Sequence, residues 1–354
     1  MGLVSIPQAC SSPKTTFSFE NISTFPNASG LKGYYAMAHD NGYFVMGGST
    51  FPVPQSQDGP KVYFDTVYQL NISTHNQLNW KLLDSRLPQP MAEGTSLQLD
   101  DGILIIGGHN TDTIFNQVTH VCWDTGNATF NYKSLTPLPT PCFYPAAAVW
   151  NNKVYVAGGD NGSGGLHDFL VMDLGVGDPE WKPLPAWPGS KRYGAILEIL
   201  SDGDKEYLYL FSGKSENTKP RNQDNYLKDV YRFDLENQSW EQMTDMPRAA
   251  LIGIPGKLNK NTLAIFSGSD GHDIERLEEI GKDYRLPNDI LVYSAINDTW
   301  DNEEKMPLGV IGVSLLAIED GFILASGEYS PALRADTVYH IKPKQFQRPL
   351  NFPE

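Results

Sequence analysis

The sequence predicts an all-β fold in which six four-stranded sheets form a ring, a six-bladed β-propeller. Three observations lead to this prediction. A strand-like apolar run that ends in a small residue and a glycine occurs six times. A second strand follows each run, and in the first five repeats an aromatic residue and a proline come next. The piece that the sixth repeat lacks is present near the N-terminus.

The apolar runs mark the repeat, because their glycines are 51 to 60 residues apart. A small residue followed by glycine lets a strand turn tightly close to a crowded axis. The spacing matches a propeller repeat of about 50 residues per blade, the kelch repeat. The runs are "YFVMGG", "ILIIGG", "VYVAGG", "LYLFSG", "LAIFSG" and "FILASG", and they end at Gly48, Gly108, Gly159, Gly213, Gly268 and Gly327.

The outer half of each repeat is predicted from a second strand and an aromatic residue that precedes a proline by seven or eight positions. One blade cannot bury both of its faces, so we expect neighbouring blades to stack and the aromatic side chain to pack between them. The aromatic and proline pairs are Trp80 with Pro88, Tyr132 with Pro139, Trp181 with Pro188, Trp240 with Pro247 and Trp300 with Pro307.

The sixth blade takes its outer strand from the other end of the chain. Phe19 precedes Pro26 by seven residues, the same offset as in the fourth repeat. We therefore expect residues 15–26 to add a strand to blade six, which closes the ring and leaves no open sheet edge. A single six-bladed domain over residues 1–354 accounts for the whole length.

The overall charge excludes several classes of partner. The chain has 27 Lys and Arg residues against 42 Asp and Glu residues, a net charge of −15. Phosphate binding needs clustered Lys and Arg, so we expect no nucleic acid partner and no anionic membrane surface. Apolar residues make up 40% of the chain, enough for a large core, and none of their runs has membrane-spanning length.

The three cysteines, Cys10, Cys122 and Cys142, do not form a disulfide framework. We expect free thiols in a reducing compartment, and no signal peptide is visible at the N-terminus. These features favour the cytoplasm. A periplasmic or secreted protein from which a signal peptide was removed stays open, and so does the oligomeric state.

The loops after the glycine pairs converge on one face of a propeller, where function tends to lie. The longest, "SDGHDIERLEEIGKDYRLPN" in blade five, is expected to form a short helix over the channel. The blade-six loop "GEYSPALR" places Glu328 next to the inner glycine, and Pro331 stiffens the return to Arg334. The two charges favour either an ion pair that closes the loop or a shared charged ligand.

Three stretches resemble the kelch-type N-acetylneuraminate epimerases, the sialic acid mutarotases, in the branch with circularly permuted blades. They are "GGSTFPVPQSQDGPKVYFDTVYQL", "GSDGHDIERLEEIGKDYRLPNDILVY" and "GEYSPALRADTVYHI". The resemblance implies an isomerase of carbohydrate metabolism that needs no cofactor and acts on a small sugar acid. The family's catalytic pair falls on Glu328 and Arg334, six residues apart.

The chemistry of mutarotation suits this pair. Opening the ring of a keto sugar acid needs a base for the anomeric hydroxyl proton, and Glu328 is the expected base. The substrate carboxylate sits on the anomeric carbon and needs a bidentate partner, which the Arg334 guanidinium provides. Secondary substrate-binding candidates follow the prolines or the glycine pairs: Lys32, Tyr34, Glu93, His109, Tyr144, Arg192, Tyr193, Arg248 and His272.

Two other function classes use the same face. A kelch propeller that only binds proteins would have a channel plugged by apolar side chains, with Glu328 exposed outside it. A metal-dependent kelch enzyme is disfavoured, because the iron motif Glu-x3-Asp-x3-His meets Pro287 at its third position, after Glu279 and Asp283. We therefore expect no metal site.

Overall fold

The computed structural model describes residues 15–39, 42–53, 58–72, 78–216, 220–302 and 304–344. Nearly all regular structure in these ranges is β-strand. The strands of the first half are β1 (Phe17–Thr24), β2 (Tyr35–His39), β3 (Gly42–Met46), β4 (Ser49–Thr50), β5 (Val62–Tyr63), β6 (Val67–Ile72), β7 (Leu78–Leu82), β8 (Thr95–Leu99), β9 (Gly102–Ile106), β10 (Val118–Asp124), β11 (Thr129–Leu135), β12 (Ala146–Trp150), β13 (Lys153–Ala157) and β14 (Phe169–Asp173). Those of the second half are β15 (Lys182–Pro183), β16 (Ile196–Ser201), β17 (Glu206–Phe211), β18 (Val230–Asp234), β19 (Ser239–Met243), β20 (Ile254–Asn259), β21 (Thr262–Phe266), β22 (Ile290–Ser294), β23 (Thr299–Asp301), β24 (Leu316–Ile318), β25 (Gly321–Ala325), β26 (Glu328–Ser330), β27 (Leu333–Arg334) and β28 (Thr337–Pro343).

These strands form six antiparallel sheets of four strands, which are the six predicted blades. Blade 1 has the order β2-β3-β6-β7, and blades 2 to 5 contain β8–β11, β12–β15, β16–β19 and β20–β23. Blade 6 has the order β24-β25-β28-β1. Two small pairs, β4 with β5 and β26 with β27, lie in the loops of blades 1 and 6. The predicted all-β propeller is confirmed.

The ring is closed by strands from both ends of the chain. Strand β1 pairs antiparallel with β28, with Phe19 opposite Ile341 and Thr24 opposite Thr337. The predicted outer strand of blade 6 is therefore confirmed, and it covers the edge of β28 that would otherwise be open.

The core consists of apolar clusters between neighbouring blades. Tyr35 and Phe44 of blade 1 pack with Ile103, Ile105 and Phe130 of blade 2, and comparable clusters fill the other five interfaces. All five residues of β9 are buried, because both faces of this inner strand meet a neighbouring blade. The outer strands alternate between covered and exposed residues, which matches their polar sequences.

The glycine pair at the end of β3 is required by its backbone. Gly47 and Gly48 have φ values of 66° and 90°, in the region that favours glycine. A β-carbon on Gly47 would lie 2.6 Å from the backbone oxygen of Met91 in the next blade. Glycine is therefore needed here both for the turn and for the close approach of the blades.

Three blades have serine in place of the first glycine, at the same positive φ. Ser212, Ser267 and Ser326 have φ values of 57°, 57° and 63°. Their hydroxyls donate hydrogen bonds to the backbone oxygens of Leu227, Pro287 and Ala335 at 2.9, 2.7 and 2.7 Å. We attribute the tolerance of these strained turns to these buried hydrogen bonds.

The blade 5 loop contains the predicted short helix, α1 (Leu277–Ile280), between two 3₁₀ turns at Ile274–Arg276 and Gly281–Asp283. A further 3₁₀ turn, Gln223–Asn225, lies in the blade 4 loop. Ile274, Tyr284 and Leu286 of the insertion form an apolar cluster with Ile311 of blade 6, and Ile252 of blade 5 packs against it. The insertion is thus held against the start of two inner strands.

Candidate active site at the mouth of the channel

Six residues just before the innermost strand of each blade form a ring. Backbone hydrogen bonds of 2.6 to 3.0 Å link them, for example from the Tyr144 amide to the Glu93 oxygen and from the Glu93 amide to the Gly33 oxygen. A cavity of about 300 Å³ begins at this ring and is lined by the inner strands of all six blades. We call this set the mouth ring: Gly33, Glu93, Tyr144, Gly194, Ile252 and Gly312.

All six residues of the mouth ring have φ between 49° and 70°. Glycine occupies three of the positions without strain. At the other three the left-handed backbone costs on the order of 1–3 kcal/mol each. Glu93 and Tyr144 are adjacent in the ring, and Ile252 packs under the blade 5 insertion. The ring therefore keeps three side chains at positions where glycine would be unstrained.

A second set of residues follows the glycine at the end of each blade's second strand. Each pairs through its backbone with a residue next to the mouth ring, as Glu328 does with Ile311 and His109 with Ala92. The six equivalent positions are therefore held at the mouth by the scaffold. They are Ser49, His109, Asp160, Lys214, Ser269 and Glu328.

The short antiparallel pair β26–β27 brings Glu328 opposite Arg334. An Arg334 Nη1 to Glu328 Oε2 distance of 2.7 Å makes an ion pair, and Lys32 Nζ donates to Glu328 Oε1 at 3.0 Å. The Glu328 side chain is 13% exposed and that of Arg334 only 2%. The carboxylate is thus held between two cations in a largely buried place.

Arg334 has hydrogen-bonding capacity that the protein leaves unused. Its Nε and Nη1 atoms are buried, and neither makes a hydrogen bond of ordinary geometry with any described residue, despite the ion pair with Glu328. The guanidinium carbon lies 5.0 Å from the centre of the Phe51 ring. Because an unpaired buried N–H group costs about 1–3 kcal/mol, this side chain has the features of a binding group.

Glu93 is the centre of the other half of the cluster. It pairs with Lys61 Nζ at 2.8 Å, with Lys32 Nζ at 3.9 Å and with His109 Nε2. Burial alone would raise the pKa of the Glu93 carboxyl. The hydrogen bond from His109 and the charges of Lys61 and Lys32 outweigh burial and hold that pKa well below its usual range. Glu93 is therefore ionised and surrounded by partners.

Two tyrosines border the cluster. The Tyr63 hydroxyl lies 3.5 Å from His109 Nδ1, and Lys61 Nζ lies 4.9 Å from the Tyr63 ring centre. The Tyr144 hydroxyl is buried beside Glu93, and burial, the Glu93 charge and the contact of the hydroxyl with the Glu93 carboxylate raise its pKa well above the usual value. Among described residues it has no hydrogen-bond partner of ordinary geometry.

These side chains make a positive site in an acidic protein. Lys32, Lys61 and Arg334 outnumber the carboxylates of Glu93 and Glu328, whereas the whole chain has a net charge of −15. A small anion would be attracted to this point of the surface more than to the rest. We call these five residues with His109 the mouth cluster.

Two arginines and a tyrosine that were predicted to bind substrate are held by internal partners. Arg192 is fully buried in a bidentate pair with Asp229, and Arg248 pairs with Asp289 at 2.7 Å. The Tyr34 hydroxyl donates to the Ala325 backbone oxygen at 2.7 Å. Their substrate-binding role stays a prediction, and any ligand would have to compete with these internal partners. Lys32, Glu93 and His109 do meet in the cluster.

Sequence reasoning missed Lys61, Tyr63 and Phe51 of the blade 1 loop. Lys61 and Tyr63 are two residues apart at β5, the spacing that puts two side chains on one face of a strand. This "KVY" alternation after a proline was the signal that could have found them. His272, in the blade 5 loop, is 75% exposed and lies beside Asp273.

Away from the mouth, the ligand atoms of Asp101, His120 and Cys122 lie within 4.8 Å of one another on blade 2. His120 bonds to Asp101 at 2.9 Å, and His340 bonds to Asp320 at the same distance in blade 6 without a cysteine. The recurrence in another blade indicates a structural feature of the repeat. The absence of a metal site stays a prediction. Cys10 lies outside the described residues.

Residues 33–251 match the model of the KLHDC2/KLHL20/DRC7 Kelch-repeats domain. This range is more than half of the chain. The chain belongs to this Kelch-repeat family.

Curated relatives of this Kelch-repeat protein are named N-acetylneuraminate epimerase. The protein of Salmonella enteritidis PT4 is 26% identical over 246 residues, 62% of this chain and 61% of the relative. N-acetylneuraminate epimerase 1 of Escherichia coli O6:H1 is 25% identical, over 57% and 58% of the two chains. The chain thus spans about three fifths of the length of these relatives. The predicted resemblance is confirmed, and the circular permutation stays a prediction.

A solved structure described as "Structure of YjhT" shares the fold of this Kelch-repeat protein. The match covers 91% of this chain and 100% of that one, with a TM-score of 0.66 and 15% identity. In the part of the chain that the structure describes, we find no helix with the length and apolarity required to cross a bilayer.

Proposed function

We propose that this Kelch-repeat protein is a mutarotase that interconverts the anomers of N-acetylneuraminate or a related keto sugar acid. The observation that carries the proposal is Arg334, whose buried Nε and Nη1 groups make no hydrogen bond of ordinary geometry with any described residue, although Nη1 forms an ion pair with Glu328. A substrate carboxylate would supply the missing acceptors. The names of the relatives support the choice of sugar acid.

Binding fixes the anomeric carbon next to the base. The substrate carboxylate is attached to that carbon, so a carboxylate held by Arg334 brings the anomeric hydroxyl close to Glu328. Lys32, 3.0 Å from Glu328, adds a second positive charge. The net positive charge of the mouth cluster favours an anionic ligand over a neutral sugar.

The reaction needs two proton transfers. Glu328 takes the proton of the anomeric hydroxyl, whose oxygen becomes the carbonyl oxygen as the bond from the anomeric carbon to the ring oxygen breaks. The ring oxygen keeps the electron pair of that bond and takes a proton. Rotation about the bond between the carbonyl carbon and the next carbon of the opened ring presents the other face of the carbonyl, and the reverse steps on that face give the second anomer.

The placement of Glu328 disfavours the alternative of a protein-binding platform. The protein-binding alternative predicts that apolar side chains plug the channel and that Glu328 is exposed outside it. The Glu328 side chain is instead 13% exposed and lies between two cations at a polar mouth. A platform would also give no role to the buried Arg334 nitrogens that make no ordinary hydrogen bond with a described residue.

The test is the exchange rate between the anomers of N-acetylneuraminate, measured by saturation-transfer NMR. We expect Glu328→Gln to lower the enzymatic rate by roughly 100-fold or more, because general base catalysis contributes about that much. Glu236→Gln, whose side chain is 82% exposed on blade 4, is the matched control and should keep the wild-type rate. A full rate in Glu328→Gln, or no enhancement by the wild type, would refute the proposal.

A further inference from the structure

One requirement of the proposed reaction has no assigned group, namely the proton for the ring oxygen. Four side chains of the mouth cluster are poor donors. Glu93 is ionised and bonded to its neighbours, and the Nε2 atom of His109 is taken by Glu93. Lys61 binds Glu93 at 2.8 Å, and Lys32 lies between Glu93 and Glu328.

Tyr144 combines two unfavourable features at one residue. It occupies a mouth-ring position with φ of 49°, where glycine would be unstrained. Its hydroxyl is buried beside the Glu93 carboxylate, but no hydrogen bond of ordinary geometry to a described residue is formed, so the loss of water is at most partly offset. Neither feature is explained by packing of the blade, since the hydroxyl contributes nothing to an apolar contact.

The position of Tyr144 relates it to the catalytic pair. Lys32, which bonds Glu328, has its Nζ atom 5.8 Å from the centre of the Tyr144 ring. The charges of Glu93, Glu328 and Arg334 all act on the pKa of this phenol. The hydroxyl is thus within the electrostatic reach of both the base and the carboxylate anchor.

We infer that Tyr144 is a further catalytic residue, the proton donor to the ring oxygen of the bound sugar acid, an inference that rests on the proposed function. When the ring opens, the bond between the anomeric carbon and the ring oxygen breaks and its electron pair stays on that oxygen. The ring oxygen takes the Tyr144 proton while Glu328 takes the anomeric one. On closure, the Tyr144 oxygen removes the proton of the sugar hydroxyl, and Glu328 returns its proton to the carbonyl oxygen.

This assignment balances without any other reactant. Two protons leave the pair of residues and two return, so the protein ends each turnover in its starting state. A phenol keeps its proton at neutral pH, and burial and the Glu93 charge raise the pKa of the Tyr144 phenol further, so the proton is in place when the ring oxygen gains negative charge.

The experiment compares Tyr144→Phe with the wild type by anomer-exchange NMR over a range of N-acetylneuraminate concentrations. We expect kcat to fall about 100-fold while KM changes by less than roughly threefold, the pattern of an interaction made in the transition state. Tyr155→Phe, in strand β13 of the same blade, is the matched control and should keep both constants. Retained sugar binding, measured by line broadening, shows that the variant is folded.

A second measurement separates proton donation from support of the structure. The wild-type rate in mixtures of H₂O and D₂O should depend on two transferred protons, and the residual rate of Tyr144→Phe on one. A raised KM with unchanged kcat, or an unchanged rate, would overturn the role of Tyr144 and leave the proposed function standing. An inactive wild type would overturn both, whereas an active wild type with an unchanged Tyr144→Phe overturns only this inference.

Discussion

Arg192 in blade 4 and Arg334 in blade 6 are both buried, yet their surroundings differ. Arg192 bonds both oxygens of Asp229 at 2.8 Å and two backbone oxygens, and it lies over the Trp187 ring. Arg334 has one ion pair and two buried nitrogens without a hydrogen bond to any residue that the structure describes. The difference teaches that a saturated arginine supports the fold, whereas an unsaturated one is available to a ligand.

Arg334→Met gives the largest expected effect. It removes two charged hydrogen bonds to the substrate carboxylate, together worth about 4 kcal/mol, so kcat/KM should fall roughly 1,000-fold. Anomer-exchange NMR with N-acetylneuraminate provides the measurement. The free energy of unfolding should fall less than in an Arg192 variant, because Lys32 still pairs with the Glu328 carboxylate at 3.0 Å after the change. A large loss of stability with unchanged kinetics would reverse the comparison.

Arg192→Met should show the opposite pattern. The change leaves the Asp229 charge without its partner in a mostly buried place, which we expect to lower the free energy of unfolding by about 3 kcal/mol. Urea unfolding measures this loss, and KM for the sugar acid should stay at the wild-type value. A raised KM at unchanged stability would support the substrate-binding role that the sequence suggested.

Glu93 extends the comparison to carboxylates, because it lies at the mouth but is saturated with partners. Its pKa is held below the ordinary glutamate value near 4.5, so its stabilisation is complete above that pH and is lost as the pH falls toward the folded value. We expect a decrease on the order of 1 kcal/mol in this window. In urea unfolding between pH 6 and pH 3, the free energy of unfolding should decrease less in Glu93→Gln than in the wild type.

The fold could be predicted from the sequence because its signals are local and repeated. The glycine that ends each second strand follows from the close approach of the blades, and the Phe19 offset to Pro26 identifies the closing strand. The order of the blades then required no knowledge of contacts between distant residues.

The candidate site was only partly predictable. Glu328 and Arg334 share one short loop, so their spacing carries the information. Arg192 and Arg248 are arginines too, and both come shortly before an inner strand. Only the three-dimensional structure shows that Asp229 and Asp289 occupy their guanidinium groups. Tyr144 follows a proline and was a candidate for that reason, but the residue pattern does not reveal its backbone φ or its lack of an ordinary hydrogen bond to a described residue.

The pairing of β1 with β28 also bears on how the protein is made. Ser18 meets Lys342 across 324 positions of sequence, which a ribosome takes roughly 16 to 65 s to translate at 5 to 20 residues per second. During that time the N-terminal strand has no partner, although five blades can already fold. Blade 6 therefore assembles last, and a chaperone that shields the waiting segment would act on this step.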